Sequence, residues 1–139
     1  MTTLDATDRD ALRDLAARYA LAVDLRTFDD LRSVFTADAS LDTGRSIREG
    51  IDQIVEAMHG LLRYEATSHV LGQQVVTIVD AEVHAVTYCT AHHLTADGET
   101  RTDKVMHIRY HDRIVRTADG WRIAARRLDV PWIDERPVG

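Results

Sequence analysis

Proton transfer near neutral pH falls most naturally to histidine, and two of the seven histidines stand where a side chain must face the interior of a sheet. His69 lies in "ATSHVLGQQVV", at the start of a β-branched run. His93 closes "EVHAVTYCTAHHL", where a period of two puts Val83, Ala85, Thr87, Cys89, Ala91 and His93 on one face and His92 on the other. That face consists of small residues ending in one imidazole, which leaves volume for a ligand. Asp24 ends an amphipathic helical segment, beside its apolar stripe, where the macrodipole disfavours an anion by a few tenths of a kcal/mol up to about 1. An acid so placed requires a partner, and His69 and His93 are the candidates. A histidine bonded to a buried aspartate is held in one tautomer and its imidazolium is stabilised, so it serves as a general base. Asp24, His69 and His93 are therefore candidate catalytic groups for taking a proton next to a carbonyl or a leaving group. Tyr19, Tyr88, Cys89, Arg109 and Tyr110 are candidate wall or polarising residues.

Other chemistries lack their residues. His92 and His93 point to opposite faces, and His107 and His111 share a face but stand about 13 Å apart at strand rise, so no metal site is expected. No His-Glu-x-x-His helix, Gly-x-Ser-x-Gly elbow or phosphate-cradling glycine loop occurs, and no cofactor is expected. Cys89 is the single cysteine, which rules out an internal disulfide and a thiolate zinc site. The formal charge is −6, and the arginines from Arg101 to Arg127 are interrupted by Asp103, Asp112 and Asp119, so no nucleic-acid face is expected. No stretch approaches the ~20 apolar residues of a membrane span, and the N-terminal residues lack an apolar core, which predicts a cytoplasmic protein.

The elements that must position these groups follow from periodicity. The 139 residues, 45% of them hydrophobic, suffice for one domain spanning 1–139. Leu12, Leu15, Tyr19, Ala22 and Val23 predict a helix over about 8–24. "TFDDLRSVF" predicts a second, short helix capped by Thr27, and Ile51, Ile54, Val55, Met58 and Leu62 predict a third. "ASLDTG" reads as a short strand and turn. Turn signals at "VDAE", "TADGE" and "TADGW" divide the rest into four strands near 67–79, 82–94, 100–116 and 121–130, an antiparallel meander. Three N-terminal helices covering a strongly curved, mainly antiparallel sheet make an α+β fold, a cone-shaped α+β barrel with a hollow for a small ligand.

The segments "RYALAVDLRTFDDLRSVFTADASLD", "TSHVLGQQ", "AVTYCTAHH" and "DGWRIAARRLDVPW" resemble the SnoaL-like branch of the nuclear-transport-factor-2-like superfamily, over roughly residues 6–132. The pattern is similar to scytalone dehydratases and lindane dehydrochlorinases, which perform cofactor-free eliminations. The resemblance implies an aspartate–histidine dyad at Asp24 and His69, with His93 assisting the leaving group. Two tyrosines of scytalone dehydratases fall on Val23 and Thr43, which makes Thr43 a candidate substrate contact. The carboxylate base of ketosteroid isomerases also falls on Thr43, and Asp42 is offset by one residue, which in a strand changes the face.

The expected function is a cofactor-independent lyase acting on a small, largely apolar cyclic substrate. The alternatives are an isomerase or epoxide hydrolase in the same hollow, or a non-catalytic small-molecule-binding or dimerisation module. Whether Asp24 and His69 meet within about 4 Å separates enzyme from binder. Apolar groups such as Val86 and Tyr88 on the outer sheet face predict a homo-oligomer, a dimer or trimer.

Overall fold

A computed structural model describes residues 3–139. Helix α1 (Ala6–Asp24) begins with a reciprocal capping box, in which Asp5 accepts from the Asp8 backbone N–H and Asp8 from that of Asp5. Its Leu12, Leu15, Tyr19, Ala22 and Val23 are buried, as their spacing predicts. The second predicted helix is a 3-10 helix, Phe28–Ser33, and Thr27 makes no side-chain cap to it. The third is divided into α2 (Ile51–Met58) and a 3-10 turn, His59–Arg63, in which Leu62 is exposed.

Six strands follow or interleave: β1 (Phe35–Asp42), β2 (Ile47–Glu49), β3 (Ala66–Val79), β4 (Glu82–Asp97), β5 (Thr100–Thr117) and β6 (Gly120–Val138). They form one sheet in the order β2-β1-β6-β5-β4-β3. The four-strand meander is present, and β1 extends it by pairing parallel to β6. β6 continues well beyond the predicted end at 130, because Pro131 falls where the register with β5 slips between His107 and Arg109. A bulge tolerates a residue that has no N–H to donate. A second slip, between Leu71 and Gln74 on β3, contains Gly72, where a Cβ would lie 3.2 Å from that of Tyr88. Such bulges increase local twist and bend the sheet around α1.

The alternating face of β4 is buried throughout, from Val83 to His93. Its small residues do not leave an open space, however. Val83, Ala85, Cys89 and Ala91 belong to the same apolar core as Leu12, Leu15, Tyr19 and Val23 of α1. Small side chains there admit the helix, and the open hollow is confined to the end of the sheet where His93 lies.

Candidate active site

The hollow has a volume of about 260 Å³ and an apolar floor of Leu41, Met58, Leu61, Met106, Ile108 and Leu128. That is near the lower end of the ~300–1,000 Å³ typical of ligand pockets. His69 and His93 both line it, with ring centroids 6.0 Å apart. Strand pairing explains their meeting, because β3 residue Thr67 stands opposite His93 and His69 lies two residues on, on the same face.

Asp24 is fixed behind His69 by three bonds. The His69 ring Nδ1 lies 2.7 Å from Asp24 Oδ1, the His69 backbone N–H donates to Oδ2 at 2.8 Å, and the Thr67 hydroxyl donates to Oδ1 at 2.9 Å. A carboxylate only accepts, so Nδ1 carries the proton and Nε2 is the nitrogen left for the hollow. Burial alone raises the Asp24 carboxyl, but the bonds from the His69 ring and backbone outweigh it and hold the group below its ordinary range. This answers the unfavourable position at the helix end.

The chain reversal after α1 organises the same corner. Thr27 N–H bonds to Ala22 C=O and Arg26 N–H to Val23 C=O, a Schellman ending in which Arg26 takes the left-handed position, φ 63°, that glycine usually fills. Left-handed backbone in a residue with a Cβ costs on the order of 1 kcal/mol. In return the Arg26 guanidinium donates to Thr67 Oγ1 at 3.0 Å and to Val23 C=O at 3.2 Å. Thr67 thus accepts from Arg26 while donating to Asp24.

His93 is held differently. Its Nδ1 lies 3.1 Å from the Lys104 carbonyl, so that nitrogen carries the proton, and its ring is tilted against Tyr64 at 4.9 Å. Burial depresses its pKa below the ordinary value, and Nε2 is then an acceptor rather than a donor. Beneath the hollow, Tyr19 and Tyr110 pack edge to face, and burial pushes both phenols up in pKa. Behind them Arg126 donates twice to Asp112 at 2.8 Å, fully buried. Its guanidinium carbon lies 4.4 and 4.0 Å from the two ring centroids. Arg126 Nη1 has no hydrogen-bond acceptor, and the ring faces are its electrostatic counterpart.

Of the other expected contacts, Tyr19, Thr43 and Tyr110 line the hollow. Arg109 does not. As the neighbour of Tyr110 in a strand it takes the outer face, where it donates to Asp129 at 3.1 Å and lies over Tyr88. Cys89 is also not among the lining residues. It sits in the core, where burial pushes its thiol up to about 11. Asp42 accepts from the Gly44 N–H at 2.8 Å, closing a turn, and no Asp or Glu lines the hollow. Among the described residues no group of three His, Cys, Asp or Glu is placed to hold a metal, and no helix is long and apolar enough to cross a membrane. The sequence reading missed Arg26, Thr67, Tyr64 and Lys104. Thr67 was within reach of it, since it shares the face of His69 two residues away.

The pattern of the SnoaL-like domain matches residues 5–127, and the chain belongs to that family, within the nuclear-transport-factor-2-like superfamily. An uncharacterised protein of Mycobacterium tuberculosis is 30% identical over 135 residues, covering 91% of this chain and 87% of that one. A crystal structure from Kribbella flavida is 29% identical, covers 94% of this chain and 95% of that one, and superposes with a TM-score of 0.82. The hexachlorocyclohexane dehydrochlorinase LinA of Novosphingobium barchaimii shares the fold with a TM-score of 0.79 at 17% identity, over 97% of this chain and 95% of that one.

Proposed function

We propose that the protein is a cofactor-independent lyase in which His69 Nε2 removes a proton from carbon and a substituent leaves from the neighbouring atom. The observation that carries this reading is the 2.7 Å contact between His69 Nδ1 and Asp24 Oδ1, in a histidine that lines a hollow. It lies inside the distance that separates a working dyad from two unrelated groups, and so favours an enzyme over a binding module. When the ring takes a proton, its positive charge develops directly against the Asp24 carboxylate. Neutral His93 accepts a hydrogen bond from the substrate and orients it, rather than donating to the departing group as the family resemblance suggests. We assign that donor role to the Tyr64 hydroxyl, which lines the hollow and whose oxygen accepts from Arg63 Nη2 at 3.0 Å, leaving its own proton to donate. Asp42 is committed to its turn, which weighs against a strand carboxylate acting as an isomerase base. The outer face, with Val70, Tyr88 and Trp132 exposed, we assign to contact with further copies of the chain.

The test is proton exchange. The protein is incubated in D2O with a panel of small cyclic β-hydroxy and β-halo carbonyl compounds, and deuterium incorporation and water or halide loss are followed by NMR and mass spectrometry. His69→Ala is expected to lower the rate by about 10²–10⁴-fold while leaving the melting temperature nearly unchanged. A folded His69→Ala protein as active as the parent, or exchange on no member of the panel, would sink the dyad.

A further inference from the structure

The hollow carries a charge that elimination does not require. Arg45, Arg48, Arg63 and Lys104 line it, and no carboxylate does. In a chain with 23 acidic and 17 basic residues, acids are in excess, and eight of the other thirteen cationic side chains lie within 4.0 Å of a carboxylate. None of these four does. Arg63 instead lies over the Tyr64 ring at 4.8 Å and bonds its hydroxyl. Lys104 is the single lysine, and it shares the inward-facing side of β5 with Met106, Ile108 and Tyr110.

The cations come from separate parts of the chain. Arg45 lies in the β1–β2 turn and Arg48 in β2 just after it; the turn is fixed by Asp42 on Gly44 N–H, by Thr43 N–H on Ser46 C=O and by Gly44 at φ 85°. Arg63 ends the 3-10 turn after α2, and Lys104 comes from mid-sheet. Three independent elements therefore bring positive charge to one rim, above an apolar floor and opposite the histidines. A molecule with net charge −6 gains nothing in folding from uncompensated cations gathered in a concavity, where low-dielectric walls strengthen their field.

We propose that the ligand of this hollow is a small amphipathic monocarboxylate: an apolar ring against Leu41, Met58, Leu61 and Met106, with its carboxylate held at the rim by Arg45, Arg48, Arg63 and Lys104. This deepens the reading above, since it rests on the same hollow, and it adds an anionic group to the small, largely apolar cyclic substrate expected from sequence. The anion at the rim fixes which end of the molecule reaches His69, and so which C–H is presented to Nε2.

Calorimetry on the intact protein tests it, with cyclohexanecarboxylate and benzoate as probes and their methyl esters as neutral controls. The acids are expected to bind about tenfold tighter than the esters at low salt, with the advantage shrinking as ionic strength rises. The double variant Arg45→Gln/Arg48→Gln is expected to lose most of that preference at unchanged melting temperature. Equal binding of acid and ester, no binding of either, or a preference untouched in the double variant and in Lys104→Gln would each overturn the proposal. Binding is read without turnover and repeated on His69→Ala. A failed dyad thus leaves the acid preference in place, and a failed preference leaves deuterium exchange in place.

Discussion

His93 is where residue chemistry departs from family expectation. Its Nδ1–H is spent on the Lys104 carbonyl, and burial depresses its pKa, so the folded protein binds a proton there less readily than the unfolded chain. By linkage, stability rises with pH wherever the unfolded state holds more protons. The contribution is therefore complete above the ordinary value of 6.5 and is lost as pH falls from there through the lowered folded value. Urea midpoints measured from about pH 7 down to about pH 5 are expected to fall in the parent and to fall less steeply in His93→Gln. An unchanged slope would mean that His93 takes up its proton in the fold as easily as in the coil. Asp24 behaves as a carboxylate throughout that range, since its bonds hold it low, so the slope is not of its making.

The elements differ in how openly the sequence announced them. The β3–β4 hairpin turns through Asp80 and Ala81, both left-handed at φ 51° and 65°, where asparagine–glycine is the usual pair. Ala81→Gly is expected to raise stability by about 1 kcal/mol, read as a melting temperature higher by a few degrees, because glycine pays no Cβ penalty there. A lower melting temperature would show that the Ala81 methyl has packing worth more than the strain. The turn itself was legible from "VDAE", as were α1 and the meander, because each follows from a period of 3.6 or 2 and a boundary; the spacing left Asp24 a choice of His69 or His93, and the family resemblance singled out His69. What the periods could not convey was closure. The parallel β1–β6 pairing joins residues 85 to 88 positions apart, the last strand was expected to end near 130 and instead runs on through a bulge at Pro131, and small residues on β4 looked like open space although they pack in the same core as α1. Arg45, Arg48 and Arg63 carry no signal of their own in the sequence, since only the assembled rim brings them together.

At the scale of the whole molecule, the inner and outer faces of the sheet divide the labour. The outer face carries Trp132, 55% exposed and stacked on His107 at 4.1 Å, with Val70 and Tyr88 also uncovered. If further copies cover it, light scattering gives the mass of more than one chain, and Trp132→Glu lowers that mass by placing a carboxylate in the contact. A monomeric parent would remove the assignment. The inner face is closed by Arg126 and Asp112, joined through two bonds beneath Tyr19 and Tyr110. Losing either partner strands a buried charge, at a cost of about 3–5 kcal/mol, whereas replacing both by well-fitted apolar residues is close to neutral or better. Sequence drift therefore meets a barrier at these two positions: neither changes acceptably alone, and a lineage that abandons the pair must cross a poorly folding intermediate or change both at once. Positions 112 and 126 are bound to each other's history, and relatives are expected to keep the pair whole or lack it whole, whatever chemistry their hollows have come to perform.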